Sequence, residues 1–271
     1  MPLLATDRFA ELRAPAHWQT VDFISDLHLQ ASEPATFEAW RHYLERPPIE
    51  RADALFILGD LFEVWVGDDV LAQTGTIEHD FWRTCVQVIR THAERTPVYF
   101  MVGNRDFLLG SVAAQACGMQ LLSDPTALDF LGHRWLLSHG DALCLADTDY
   151  MRFREQVRHP QWQRTFLERP LEEREAIARD LRQQSEARKQ SAAGDPHTWA
   201  DVDHFAAQAW LLHAQAQTLI HGHTHRPAEH PLGGGLQRVV LSDWEVGGQH
   251  PRAEVLRIGA QGMQRLTMTP P

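Results

Sequence analysis

The sequence predicts an α/β protein, because short buried strands alternate with helical stretches along its first half. Helical spacing is clearest at 36–46 and 79–94, which lie between apolar runs. This alternation predicts a sheet covered by helices on both faces. After residue 220, further strands follow at short spacing with a glycine-rich turn at 233–235, which predicts a meander closing a second sheet. The predicted strands are VDFIS (21–25), DALFIL (53–58), VYFMVG (98–103), RWLLS (134–138), TLIH (218–221), RVVLS (238–242), AEVLRI (253–258) and MQRLTM (263–268).

Residues 147–200 interrupt this alternation, because they carry no strand pattern. Apolar residues at helical spacing begin at Tyr150, and Pro160 breaks that run. A second helix is expected from Pro170, since proline favours the first turn of a helix. We therefore expect a single domain over residues 1–271 that carries a helical insertion, called the cap below, at about 147–200.

The composition excludes several classes of protein. The formal net charge of −11 argues against general nucleic-acid binding, which requires a basic face. Three cysteines, odd in number and far apart, fit a reducing compartment. The first twenty residues lack the apolar segment of a signal peptide, and no apolar run approaches the roughly 18–20 residues that span a bilayer. We expect a cytoplasmic protein.

Residue types that bind metals follow each of the first five predicted strands. The carboxyl ends of strands are where open α/β sheets bind ligands, so these side chains are expected to meet. Asp26 and His28 are two residues apart, as are His223 and His225, and on an extended chain each pair projects to one side. The predicted metal ligands are Asp26, His28, Asp60, Asn104, His139, His223 and His225.

This donor set combines carboxylate and amide oxygens with imidazole nitrogens. Such a mixture suits Mn²⁺, Fe or Zn²⁺ better than Ca²⁺ or a thiolate site. It is too large for one metal that must keep an open position, which predicts two ions sharing one carboxylate. His221 lies on a predicted strand, and we expect it to pack or to hydrogen-bond there instead of binding metal.

The motifs DLH, GD, GNRD, HGD and HGHTH, in this order, resemble the calcineurin-like metallophosphoesterase superfamily over residues 21–227. The resemblance implies an αββα sandwich of two mixed sheets flanked by helices. It also implies a dinuclear site at which a metal-activated hydroxide attacks phosphorus in line. By the same resemblance, one metal is held by Asp26, His28, Asp60 and His225, and the other by Asp60, Asn104, His139 and His223.

Arg105 departs from the superfamily, whose members commonly have histidine at this position. A guanidinium cannot deliver a proton near pH 7, but it can hold a phosphate through two hydrogen bonds. The longer strings 59–69, 103–110, 139–150 and 221–227 resemble the UDP-2,3-diacylglucosamine pyrophosphatase family of lipid A biosynthesis. That resemblance implies attack at the α-phosphorus, release of UMP and the glucosamine 1-phosphate lipid, and two Mn²⁺ ions as cofactor.

Several further roles are implied only by this resemblance. Asp60, Asn104, Arg105 and His139 are expected to act in catalysis. The chain has a single lysine, Lys189, which lies on the cap four residues after Ser185. Ala192 stands where the family often has another basic group, so the family's anchoring of the head group is incomplete here. The residues expected to contact substrate are Asn104, Arg105, Asp147, Ser185, Lys189 and His223.

Apolar residues of the cap allow two interpretations. They either pack the cap onto the body, or line a cleft for acyl chains with Trp65 and Phe62 as the opposite wall. Arginines of the cap also suggest peripheral contact with an anionic inner-membrane surface. The alternative function is a soluble nucleotide pyrophosphatase or phosphodiesterase with the same metal ligands, and a non-catalytic scaffold is the third. The cap residues in question are Tyr150, Phe153, Trp162, Phe166, Leu167, Ile177 and Leu181.

Overall fold

The computed structural model describes residues 9–191, 200–248 and 251–268, with the side chains of 184–191 also outside the description. The strands are β1 (Ala10–Arg13), β2 (Thr20–Ile24), β3 (Ala54–Leu58), β4 (Val98–Met101), β5 (Met119–Leu122), β6 (Thr126–Phe130), β7 (His133–Leu137), β8 (Thr218–His221), β9 (Ala228–Gly233), β10 (Leu236–Val240), β11 (Glu254–Gly259) and β12 (Gly262–Thr267). The α-helices are α1 (Pro34–Glu45), α2 (Ile77–Ala93), α3 (Ser111–Cys117), α4 (Thr148–Arg158), α5 (Pro160–Leu167), α6 (Leu171–Ser191) and α7 (His204–Ala214).

Two six-stranded mixed sheets form the body. The first has the order β12-β11-β2-β3-β4-β5, in which β2 to β5 are parallel and β11 is antiparallel to β2. The second has the order β1-β6-β7-β8-β10-β9, in which β7, β8 and β10 are parallel. The predicted αββα architecture is confirmed.

Alternate residues of the central strands serve two different cores. Phe23 of β2 and Phe56 of β3 stack between the sheets, with ring centroids 5.0 Å apart. Ile24 and Ile57 point the other way, into the layer covered by α1, α2 and α3. Since both faces of these strands are buried, their sequences are continuous apolar runs instead of alternating ones. Helices cover only the outer face of each sheet, which corrects the expectation of helices on both faces.

The assignment of strands to sheets also differs from the prediction. The runs at 134–138 and 218–221 form β7 and β8, which lie in the second sheet and not in the sheet of β2 to β4. The predicted meander after residue 220 is divided, because β9 and β10 extend the second sheet while β11 and β12 extend the first. The sheet that a strand joins is decided by its pairing with strands far away in the sequence. A local sequence pattern carries no information about that pairing.

Four strands, β1, β5, β6 and β9, were absent from the prediction. β1 and β9 lie at the edges of the second sheet and expose most of their side chains, so they lack an apolar run. β1 lies in the N-terminal segment, for which no element was predicted, and it pairs with β6.

Residues 148–191 form three consecutive helices, α4, α5 and α6. Pro160 does more than break a helix, since it occupies the first turn of α5, which the sequence did not predict. Pro170 directly precedes α6, and Glu172 and Glu173 lie in its first turn, as the sequence predicts. Among the described residues, no helix is both long and apolar enough to cross a bilayer.

Candidate active site

The predicted metal ligands lie on loops that follow five strands, at one edge of both sheets. Loops after β2, β3 and β4 come from the first sheet, and loops after β7 and β8 come from the second. Five of these residues have a positive φ, although only seven non-glycine residues do so in the described part of the chain. Positive φ is costly for residues with a Cβ and concentrates at functional sites. The five are Asp26 (φ 54°), His28 (48°), Asp60 (52°), His223 (67°) and His225 (51°).

This backbone geometry corrects the expectation that Asp26 and His28 project to one side because the chain is extended there. Asp26 and His28 do not lie on extended chain, because β2 ends at Ile24 and both residues are left-handed. Their side chains converge because the chain coils after the strand.

Backbone hydrogen bonds hold the loops after β2 and β3 side by side. The amide of Asp26 donates to the carbonyl of Gly59 (3.1 Å), and the amide of His28 donates to that of Asp60 (3.0 Å). Close approach also requires glycine, since a Cβ on Gly103 would collide with the Asp60 side chain. Glycine at 103 therefore allows the loop after β4 to lie against Asp60.

Two overlapping groups of side chains could each hold a metal ion. The ligand atoms of Asp26, His28 and His225 lie within 4.8 Å of one another, as do those of Asp26, Asp60 and His139. One oxygen of Asp60, Oδ2, is 3.9 Å from Nε2 of His28 and 3.8 Å from Nε2 of His139. Asp26 is thus common to both groups, and Asp60, a member of the second group, lies close enough to His28 to be shared with the first.

Nitrogen and oxygen atoms of three side chains meet at the centre of the site, where a cation could bind them. Nδ1 of His139 lies 2.9 Å from the carbonyl of Leu58 and must donate to it, so Nε2 of the neutral ring carries the lone pair. That Nε2 lies 2.9 Å from Oδ1 of Asn104, to which it donates when the ring is protonated and beside which its lone pair is free for a metal when the ring is neutral. Nδ1 of His223 is 2.8 Å from the same oxygen. A divalent cation among these atoms would satisfy all of them.

The charges of the cluster favour bound cations. Burial lowers the pKa of His139, but the negative charges of Asp60, Asp26 and Asp141 outweigh burial and raise the pKa to about 9. A metal ion would therefore replace a proton that these carboxylates otherwise favour. Burial and the positive charge of His139 lower the pKa of His223 to about 3, which keeps its imidazole neutral and able to coordinate.

Three buried acids beside the cluster support it. Asp106 accepts hydrogen bonds from the amides of Gly103 and Leu61, both 2.8 Å, and so ties together the loops after β3 and β4. Asp141 accepts a hydrogen bond from the Tyr150 hydroxyl (2.6 Å) and is paired with Arg154 of α4 (2.8 Å). Asp243 lies 3.6 Å from Nδ1 of His225. Asp106 and Asp141 lie in the motifs GNRD and HGD but were not among the predicted site residues, and neither was Asp243.

Glu63 is another residue that the sequence analysis missed. It is buried, and its carboxylate contacts Nδ1 of His28 (2.8 Å), Arg105 (3.4 Å) and Arg182 of α6 (3.3 Å). Burial raises the pKa of Glu63, but the close contact with His28 and the charge of Arg105 outweigh it and lower the pKa to about 2. An acid within the buried apolar string LFEVW was the available signal.

A cavity of about 550 Å³ adjoins the metal-ligand cluster. At one end it is lined by His28, Asp60, Asn104, His223 and His225, and elsewhere mainly by apolar side chains of the cap and of the loop after β3. Trp162 and Phe166 stack at 4.8 Å to form one wall. The apolar and aromatic lining residues are Val64, Trp65, Val66, Phe107, Leu108, Tyr150, Phe153, Trp162, Phe166, Ala178 and Leu181.

The predicted acyl-cleft residues divide into two groups. Tyr150, Phe153, Trp162, Phe166, Leu181 and Trp65 line the cavity. Phe62 is wholly buried behind Trp65, with ring centroids 4.8 Å apart, and so is not the wall that the sequence predicted. Leu167 and Ile177 also lie outside the lining, because Leu167 is exposed and Ile177 packs against the body.

The predicted substrate residues are also in different situations. Arg105 lines the cavity, and its backbone amide donates to Oδ1 of Asp60 at 2.8 Å. Asp147 lines the cavity too, but its side chain caps α4 by accepting from the amide of Tyr150 at 2.9 Å. The side chains of Ser185 and Lys189 lie outside the described residues, as does Ala192. His221 is buried and accepts a hydrogen bond from Arg238 at 3.4 Å, which agrees with the packing role expected for it.

The sequence of this chain is similar to those of known proteins. The family model of calcineurin-like phosphoesterases matches residues 19–227. The UDP-2,3-diacylglucosamine hydrolase of Xanthomonas oryzae pv. oryzae (strain PXO99A) is 42% identical over 251 residues, covering 90% of this chain and 97% of the relative. The protein of the same name from Chromobacterium violaceum is 45% identical over 234 residues, covering 84% and 91%. Among solved structures, an archaeal phosphodiesterase aligns at a TM-score of 0.43 and 11% identity, covering 92% of this chain and 99% of that one.

Proposed function

This chain belongs to the calcineurin-like phosphoesterase family and is a metal-dependent hydrolase, and on that premise we propose that it hydrolyses the pyrophosphate bond of UDP-2,3-diacylglucosamine. The products would be 2,3-diacylglucosamine 1-phosphate and UMP. The names of its relatives support the substrate, since the chain covers nearly their whole length.

The observation that carries the proposal is that one cavity contains both a metal-ligand cluster and an apolar compartment. A pyrophosphate bonded to a diacylated sugar requires this combination, because its reacting end is anionic and its acyl chains are apolar. A soluble nucleotide would need only the first. A volume of about 550 Å³ falls within the range of roughly 300–1,000 Å³ for ligand sites.

We assign the metal ligands as follows. Asp26, His28, Asp60 and His225 would hold one divalent cation, and Asp60, Asn104, His139 and His223 the other, with Mn²⁺ as the proposed metal. When bound, the two cations would supply a nucleophilic hydroxide at neutral pH and neutralise charge on the phosphoryl oxygens.

The side chains of the chain itself would position the substrate. Arg105 lies within 3.4 Å of Glu63 at the cavity wall, from which its fork can reach a phosphate and hold the charge of the expelled group. Asn104 and His223 would contact the phosphate from the metal side, and Asp147, Ser185 and Lys189 the head group. Attack at the α-phosphorus would expel the sugar phosphate. No side-chain nucleophile is required.

We further propose that the protein works in the cytoplasm, peripherally associated with the anionic inner membrane. The substrate is a lipid, so enzyme and substrate meet at the bilayer surface. Helices α4 to α6, proposed as a cap on a single catalytic domain, carry about half of the cavity's apolar side chains.

The test is Mn²⁺-supported hydrolysis of UDP-2,3-diacylglucosamine and UDP-glucose in parallel, with products resolved by mass. We expect UMP from the acylated substrate alone and no product after chelation. Equal rates on both substrates, or cleavage of UDP-glucose only, would show a soluble nucleotide pyrophosphatase with the same metal site. Replacing Mn²⁺ in turn by Mg²⁺, Zn²⁺ and Fe²⁺ would test the proposed metal.

A further inference from the structure

The Glu63 carboxylate joins three parts of the candidate active site that belong to different elements. Its Oε2 lies 2.8 Å from Nδ1 of His28, on the loop after β2. Its Oε1 lies 3.4 Å from the guanidinium of Arg105, on the loop after β4, and 3.3 Å from Nε of Arg182, on α6. One buried carboxylate therefore contacts a metal-ligand residue, a substrate residue and the cap.

The backbone fixes Glu63 in this position. A parallel bridge joins Leu29 to Phe62, and the amide of Glu63 donates to the carbonyl of Leu29 at 3.3 Å. Leu29, which follows His28, is thus hydrogen-bonded to Glu63, whose side chain contacts His28. With Glu63 only 8% exposed, its carboxylate has little freedom to leave these partners for water.

The contact with His28 determines which nitrogen faces the metal cluster. The contact is close but not aligned as a hydrogen bond; the negative charge beside Nδ1 still favours a proton on that nitrogen, which leaves Nε2 with the lone pair. Nε2 is the atom 3.3 Å from Nε2 of His225, inside the cluster. Carboxylates that hold ligand histidines in this way orient the ring and increase its basicity, and their loss typically lowers metal affinity about 10–100-fold.

The contact with Arg182 connects the same carboxylate to the cap. Arg182 also donates to Oε1 of Gln30 at 3.1 Å, so α6 is held to both loops beside the cluster. Residues 178 and 181, within one turn of Arg182, line the cavity. The position of this turn therefore affects the shape of the apolar compartment.

We infer that Glu63 is a positioning residue that couples the seating of the cap helix α6 to the geometry of one of the two metal sites. The inference rests on the proposed function, because it takes His28 as a metal ligand. Only the metal held by His28 depends directly on Glu63. His139 is fixed independently by the carbonyl of Leu58.

The decisive variant is Glu63→Gln, which keeps the size of the side chain. Its amide has one acceptor oxygen, so it cannot present an oxygen to His28 and to the arginines on opposite sides at once. Titration of Mn²⁺ into the full-length, metal-depleted protein should show two equivalents in the wild type. In Glu63→Gln, one of the two affinities should fall about 10-fold and the other should stay unchanged.

A matched control exists on the same cap helix. Glu175 of α6 contacts Nε2 of His79 at 3.0 Å, so it is another histidine–carboxylate pair that ties the cap to the body, but it touches no metal-ligand residue. Glu175→Gln should leave both Mn²⁺ affinities at wild-type values. Should Glu63→Gln fail to fold, Glu63→Asp keeps the charge but withdraws it by one methylene, and the same single affinity should fall.

Coupling to the cap is measured with Arg182→Met. This variant should keep both Mn²⁺ affinities, raise KM for the acylated substrate roughly fivefold and leave kcat near wild type. In a Glu63→Gln background the same change should raise KM by clearly less than fivefold, because the charge of the shared carboxylate is already lost while the hydrogen bond from Arg182 to Gln30 is still there to be removed. Independent effects on KM in the two backgrounds would contradict the coupling.

The inference and the proposed function fail in different ways. If the wild type binds no Mn²⁺ or does not hydrolyse the lipid substrate, the proposed function is wrong. If it does both while Glu63→Gln binds two equivalents with unchanged affinity, only the role of Glu63 is wrong. Equal weakening of metal binding by Glu63→Gln and Glu175→Gln would also overturn it, since general loosening of the cap would then explain both.

Discussion

The loops that carry the predicted metal ligands and the helices that cover them are held in place by different sets of contacts. The loops after β2 and β3 are joined by backbone hydrogen bonds and contain buried left-handed residues. The cap is joined to the body by apolar side chains such as Phe166 and Ile177, and by arginines that reach acids on the loops after β3 and β7. These pairs are Arg154 and Arg158 with Asp141, Arg174 with Asp69, and Arg182 with Glu63.

The difference has a functional consequence. Metal coordination tolerates little displacement, and a network of backbone bonds next to two sheets supplies that rigidity. A compartment for acyl chains needs only volume and apolar walls, so side-chain contacts are sufficient. We therefore expect changes in the loops to abolish catalysis, and changes in the cap to alter substrate preference or stability.

The largest expected effect is that of Asp60→Ala in the loops. Because Oδ2 of Asp60 lies 3.9 Å from Nε2 of His28 and 3.8 Å from Nε2 of His139, both metals should be lost, and kcat/KM should fall at least about 10³-fold. Metal content by mass spectrometry and steady-state kinetics measure this. Asp22 is as buried but is paired with Arg257, so Asp22→Ala should lower stability while the folded protein keeps its metal. Normal activity and metal content in Asp60→Ala would exclude the shared-carboxylate assignment.

Arg105→Ala should have the next largest effect. Its guanidinium lines the cavity without belonging to either ligand group, so both metals should remain while kcat falls by about 10²-fold. Arg105→Lys retains the charge but not the planar fork and should be intermediate. Loss of metal from Arg105→Ala would instead make it a support of the metal site.

A smaller effect is expected within the cap, where two leucines form a matched pair. Leu181 and Leu167 are 38% and 41% exposed, but only Leu181 lines the cavity. Leu181→Ser should raise KM for the diacylated substrate about tenfold, since a lost apolar contact in a pocket is worth ~1–3 kcal/mol. Leu167→Ser should leave KM unchanged. If both variants bind the lipid normally, the acyl chains lie elsewhere.

The smallest effect on activity is expected from Arg174→Met. Arg174 is 2% exposed and donates to the carbonyl of Val66 at 2.6 Å and to that of Arg169 at 3.0 Å. Methionine fills much of the space of Arg174, and Asp69 is exposed enough to be hydrated alone. The free energy of unfolding should therefore fall by about 1–2 kcal/mol. The melting temperature should fall by about 4 °C, with kcat within about twofold of wild type. Arg169→Met removes an exposed ion pair with Glu173 and should not change the melting temperature measurably.

Much of the body was predictable because strands buried on both faces produce continuous apolar runs, as in ALFIL of β3. The edge strand β1 was not predictable, because most of its side chains are exposed and its sequence contains no apolar run. The seven metal-ligand candidates could be proposed because each follows a strand in a recognisable motif. Glu63 was not found, because a lone acid in an apolar string does not reveal that His28, Arg105 and Arg182 surround it.

The sequence by itself determined the α/β class, the residue types at the strand ends and the helical character of the cap, because each depends on periodicity or on motifs within a few residues. Only the tertiary structure decided which sheet each strand joins, that Asp60 lies close to both His28 and His139, and that one cavity is lined by the cap and by predicted metal ligands. These features depend on contacts between residues distant in the chain, such as Glu63 with Arg182, and local pattern carries no record of such contacts.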